Sequence, residues 1–168
     1  MTFGEYLSVP AVHWSVLREM QKSPLHYKYR RDNAREDNKV FARGRAAHTA
    51  VLEPRRFLLD YVCWKGKVRR GKEWDAFREA HQNETALTPV EYESALAIGD
   101  AVRAHPVARH LLEGAKVEQA IQWTDKDTGL KLKARVDIVG RALVDLKTSR
   151  DVDARRWARP RRLRLLYL

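Results

Sequence analysis

The sequence predicts an α+β domain in which helices come first and an antiparallel meander comes last. Three observations carry this. Apolar residues recur at helical spacing up to about residue 112, then alternate from residue 117 onward. The stretch Thr88-Pro89-Val90-Glu91 is a strong helix start, with an N-cap, a proline at the first position and an early acid. The 168 residues suit one domain large enough to bury its own core.

Taken in order, residues 11–30 open with a helix capped by Ser15, with Trp14, Leu17 and Met20 or Gln21 on one stripe and Pro24 expected to end it. The HYKYR that follows mixes aromatic and basic side chains, which suits base stacking beside phosphate contacts as well as a turn packed on the core. Residues 31–38 are wholly polar and read as a loop. A helix is expected over 39–53, with Val40, Ala47, Val51, Ala46 and Ala50 as its apolar stripe, Pro54 as its stop and Gly44 permitting a close approach. His48 stands one turn beyond Gly44 on the same face. FLLDYVCW (57–64) reads as a strand, and the strongly basic KGKVRRGKEW after it as a mobile loop able to contact phosphate. Helices are expected over 72–80 and 89–104. His105-Pro106 breaks the second, and a turn or two follows over 107–112 up to Gly114.

Three strands then form the meander: VEQAIQW (117–123), LKLKARVDIVG and ALVDLKTS, with TDKDTG supplying the first turn. Alternation puts Leu132, Ala134, Val136 and Ile138 on one face of the middle strand, and Lys131, Lys133, Arg135 and Asp137 on the other. In the last strand Ala142, Val144 and Leu146 oppose Leu143, Asp145 and Lys147. Two acids and a lysine therefore fall on one surface of neighbouring strands. Such a site suits a hard divalent cation, which accepts one or two carboxylates and completes its shell with water and phosphate. That cation can polarise a phosphodiester, while a lysine steadies the developing charge. A surface ion pair between Asp145 and Lys147 is the plainer reading of the same residues.

Composition narrows the classes. A single cysteine, Cys63, excludes an internal disulfide and any multi-cysteine zinc site. No stretch approaches the ~20 apolar residues of a membrane helix, and the first residues lack the pattern of a secretory signal. The expectation is a soluble, cytoplasmic protein. A net charge of +11 favours a polyanionic partner, although solvated Lys/Arg faces also produce it.

In this order and spacing, GRAAHTAVLEP (44–54), VEQAIQW (117–123), KARVDIV (133–139) and LVDLKTS (143–149) resemble the PD-(D/E)XK nuclease superfamily, and within it the phage and prophage exonucleases of the RecE-like, exodeoxyribonuclease VIII type. The opening helix ending in SPLHYKY resembles that family's N-terminal segment. The resemblance implies a restriction-endonuclease-like core, a central mixed sheet flanked by helices. It also implies Mg²⁺-dependent (or Mn²⁺-dependent) hydrolysis of linear double-stranded DNA from its ends in recombination. On this reading His48, Asp137, Asp145 and the Leu146 carbonyl would bind metal, and Lys147 would be the catalytic lysine. Val136 stands where the family usually has proline. Glu118 matches an acid on the preceding strand, as a ligand or base, and reads equally well as an exposed strand residue. Thr148, Ser149 and Arg150 could touch phosphate. A single-strand annealing partner and ring-like homo-oligomerisation would accompany the activity.

The likeness stops at Arg150. Where the family has a helix carrying a Gln…Tyr pair, this sequence reads DVDARRWARPRRLRLLYL. The expected division is thus a nuclease-like domain over 1–150 and an aberrant basic tail over 151–168, from a frameshift or premature stop, or else a tail that grips DNA. The alternative function is a non-catalytic, basic DNA-binding remnant of such a nuclease.

Overall fold

A computed structural model describes residues 1, 3–33 and 39–149. Residues 34–38 of the polar loop, the Val40 side chain, Arg150 and the tail 151–168 lie outside the described residues.

The chain opens with a short helix that periodicity did not reveal, α1 (Phe3–Ser8), followed by α2 (Trp14–Leu17) and a 3₁₀ turn over Arg18–Gln21. Pro24 does not end the first long helix; it begins the next, α3 (Pro24–Asp32). Ser23 caps α3 by accepting from the backbone N–H of His26, and Pro24 takes the first helical position, where its missing N–H costs nothing. Ser15 is likewise not a cap: His13 holds that position, and the Ser15 hydroxyl bonds the His13 Nδ1 at 2.7 Å.

The long helix α4 (Lys39–Leu52) matches its expected span, and Ala46, Ala47, Ala50 and Val51 are buried. Pro54 stops α4 but starts α5 (Pro54–Asp60) at once, so the strand expected over 57–64 is helical at first and shrinks to β1 (Tyr61–Cys63). The reason is Phe57, which is 0 % exposed and stacks on Tyr61 and Tyr92, while Leu58 and Leu59 face outward. Then come α6 (Lys72–Ala80), the three-residue strand β2 (Thr85–Leu87), α7 (Pro89–Ala104) and α8 (Pro106–Leu112). The α7 start is a full capping box between Thr88 and Glu91.

The meander forms in the expected antiparallel order β3-β4-β5, as β3 (Lys116–Thr124), β4 (Lys131–Val139) and β5 (Leu143–Val144), but the last strand, expected over 142–149, ends before Asp145 and Lys147. Asp125 closes the first turn on Thr128, with Gly129 at φ 69. The parallel pairing, β1 with β2, lies in a separate two-stranded sheet, so the α+β class holds with two small sheets among the described residues.

Two apolar clusters hold these parts together. One joins Ala46, Ala50, Phe57, Leu87 and Ala95. Here α4 and α7 approach so closely that a Cβ on Gly99 would meet the Ala50 carbonyl at 2.9 Å. The other joins Val51, Leu52 and Ile138 with Val144 and Leu146, seating the meander on the end of α4. Arg103 from α7 donates to the Ala50 carbonyl at 2.6 Å, satisfying an acceptor left open in the last turn of α4. No helix among the described residues is long and apolar enough to cross a membrane.

Candidate metal centre

The centre is assembled where α4 passes the meander. Val51 and Leu52 meet Ile138. His48, one turn earlier on α4, faces Asp137, with Nδ1 3.9 Å from Oδ2. Glu118 comes from β3 and lies opposite Asp137, between the paired positions Val117↔Ile138 and Gln119↔Val136. One donor atom each from His48, Glu118 and Asp137 falls within 4.8 Å of the others, the only such group among the described residues. An imidazole and two half-buried carboxylates form a donor set that fits Mn²⁺, and fits Mg²⁺ through its oxygens.

Glu118 is also the one non-glycine residue in the left-handed region among those described, at φ 52. That conformation costs an L-residue roughly 1–2 kcal/mol, and such costs concentrate at functional sites. Its carboxyl is pushed above the usual range. Burial is the largest cause, and the Asp137 and Glu53 carboxylates act in the same direction against Arg135 and His48.

Asp145 and Lys147 lie beside this group rather than in it. Continuing the register Val139↔Leu143 and Ile138↔Val144 sets Asp145 against Asp137, and the two share one shallow depression with Arg135 and Leu143. The Asp145 side chain is 67 % exposed and pairs with Lys147 at 2.5 Å. Between them, the Leu146 N–H donates to Asp137 Oδ2 at 2.6 Å, so Asp137 fixes the backbone that carries both neighbours. Thr148 Oγ1 lies 3.5 Å from where a Cβ on Gly44 would stand, so this segment runs against α4 as expected, with room there for a Cβ and little more. Thr148 and Ser149 are exposed.

Two residues escaped the sequence reading. Arg135, two positions before Asp137, sets its Nε 2.6 Å from Glu118 Oε2, an ion pair without a directed hydrogen bond. Its guanidinium lies over the Phe3 ring at 5.1 Å. Alternation places Arg135 on the acid-bearing face, which is the only signal it gives. Glu53 is the second: it follows α4 directly, and its charge reaches Glu118.

A histidine from α4 faces acids of β3 and β4, with the Asp145–Lys147 pair beside them. The chain matches the PDDEXK-like domain of unknown function (DUF3799) over residues 14–167. It belongs to that family. The PDDEXK-like match makes this a nuclease-type fold, and it agrees with the α+β architecture and with a centre able to take a divalent metal. No curated protein is significantly similar to the chain.

Proposed function

We propose that this PDDEXK-like domain is a divalent-metal-dependent exodeoxyribonuclease that hydrolyses phosphodiester bonds at the ends of linear double-stranded DNA. The convergence of His48, Glu118 and Asp137 from three separate elements carries the reading. His48, Asp137, Asp145 and the Leu146 carbonyl would hold Mg²⁺ or Mn²⁺, with Glu118 as a further acid. When bound, the metal supplies Lewis-acid polarisation of the phosphate and lowers the pKa of water.

The chain's own groups do the rest. Asp137 holds the 145–147 backbone through the Leu146 N–H, which keeps Asp145 and Lys147 in place. Lys147 puts a compact cation beside Asp145, suited to the negative charge that builds on phosphate oxygens in the transition state. Glu118, its carboxyl raised by burial, is suited to accept a proton at the centre. The RecE-like likeness extends the proposal to recombination, a prophage setting, a cytoplasmic location, a single-strand annealing partner and a ring-like oligomer.

The test is degradation of an end-labelled linear duplex beside a covalently closed circle, with Mg²⁺ or Mn²⁺. Loss of the linear substrate alone is expected. Asp145→Ala and Lys147→Ala, folded by circular dichroism, should each lower the rate at least about a hundredfold. Unchanged cutting in either variant rejects the assignment. Metal-independent, salt-sensitive binding without cutting would instead support a non-catalytic DNA-binding role.

A further inference from the structure

The basic loop between β1 and α6 is held in one shape by the rest of the chain. Trp64 packs edge-on to Trp74 and against Phe77. Its indole N–H donates to the Val68 carbonyl at 3.2 Å. Gly66 folds over the indole so tightly that a Cβ there would lie 2.1 Å from the ring. Arg69 turns back instead of outward. It donates to the Ala86 carbonyl at 2.9 Å, reaches Glu91 at 3.6 Å and stacks on Trp74. Glu91 is gripped from the other side by Arg43 of α4 at 2.9 Å. The expectation of a mobile loop gives way to a clasped one.

The clasp consumes one cation and leaves four. Lys65, Lys67, Arg70 and Lys72 are exposed, and none of them pairs with an acid among the described residues. A rigid loop that neutralises none of its outward charge is matched to a polyanion, because it loses little conformational entropy on binding. Its place in the fold says which one. The clasp ends on Arg43, the neighbouring Gly44 faces Thr148, and His48 lies five residues on, roughly 7.5 Å along the helix axis. Five residues also turn the helix by about 140°, so the loop and the candidate metal centre attach to consecutive stretches of α4 on different faces, and a duplex rather than a single strand would have to bridge them.

We infer that Lys65, Lys67, Arg70 and Lys72 form a preformed binding surface for the phosphate backbone of duplex DNA, carried on the same helix as the metal centre. The inference rests on the proposed nuclease reading for its choice of partner. It assigns to this loop the electrostatic share of DNA affinity, with no base recognition.

The experiment compares the full chain with a variant carrying Lys65→Gln, Lys67→Gln, Arg70→Gln and Lys72→Gln. A control variant carries Arg55→Gln, Arg109→Gln, Lys126→Gln and Lys131→Gln, which removes the same charge elsewhere. Binding of a fluorescent blunt-ended duplex is followed by anisotropy without metal across a salt series, and cleavage with Mn²⁺ is measured separately. Each lost phosphate contact reduces the log–log salt slope by about 0.9. The loop variant should lose about 3.6 from that slope and at least about tenfold in affinity near 0.1 M salt, while the control loses less than about 1. Equal slopes for the loop variant and the wild type, or equal losses in both variants, overturn the inference. If the loop variant keeps duplex affinity but loses binding to poly-glutamate, the partner is acidic protein and the inference is overturned. Wild-type cleavage with no slope change removes the loop surface and leaves the nuclease. A slope change without cleavage keeps the surface and removes the nuclease.

Discussion

Around β1 and β2 the buried residues are Ala46, Ala50, Phe57, Leu87 and Ala95, all uncharged. Around β3 and β4 the covered side chains include Lys133, Arg135, Glu118 and Asp137. The first region follows the ordinary economy of a core: small residues let α4 and α7 approach, and one aromatic fills the gap. The second hides charge, which is costly unless each group is paired. Lys133 shows how the cost is met. Lys133 is 4 % exposed, and its Nζ donates to the carbonyls of Tyr6, Leu7 and Val9 at 2.8–3.0 Å, closing the end of α1. The Tyr6 ring lies 4.9 Å from the same ammonium. The contrast teaches that one part of the molecule packs as an uncharged core and the other gathers the candidate metal centre.

The sharpest break of that contrast is Phe57→Ala. It should cost about 4 kcal/mol in urea denaturation, the range for a fully buried aromatic, while hydrogen exchange in residues 3–12 keeps its native pattern relative to global unfolding. Next comes Lys133→Met, which leaves three carbonyls without their donor but also removes a buried charge. The net expected loss is about 2 kcal/mol, with amide exchange in 3–12 accelerating before the rest of the chain. A variant that loosens α4 and α7 equally would erase the distinction between the two parts.

The smallest effect belongs to the capping box. Thr88→Ala should cost about 1 kcal/mol at neutral pH by thermal melting. Glu91 adds a pH signature. Burial alone would raise its carboxyl, but the Thr88 backbone N–H, the Arg43 guanidinium and the Thr88 hydroxyl outweigh burial and lower it to about 2. A carboxyl depressed in the folded state stabilises above its ordinary range, and that contribution disappears as pH falls through the folded value. The native domain should therefore lose this stability between about pH 4.5 and 2. Thr88→Ala, lacking one of the lowering bonds, should lose less stability over this range and finish losing it at a higher pH.

Much of the fold was legible where periodicity is long or the start signal is strong. Helices α4, α6 and α7 and the order of the meander belong to this class; His48 and Asp137 were paired only through the family likeness, which set Asp145 with them and left Glu118 open as an exposed strand residue. Short elements were not legible. Six residues of α1 and three of β2 are too few to show a period, and Pro24 and Pro54 begin helices as readily as they end them. Alternation placed Lys133 and Arg135 with the acids, but it could not show that residues 3–12 would lie across that face. The exposed pair of Asp145 with Lys147 was the plainer reading of their spacing, whereas spacing could not reveal that Asp137 turns toward His48 without them, since this depends on where β5 ends.

The backbone at Glu118 has a practical consequence for anyone improving this protein. Glycine would adopt φ 52 freely, and a neutral side chain would relieve the burial that raises the carboxyl. Selection for heat tolerance alone would thus reward changes at position 118 once Arg135, its ion-pair partner, is neutralised too, yielding sturdier molecules with a vacated donor. Libraries aimed at robustness should keep that codon constant.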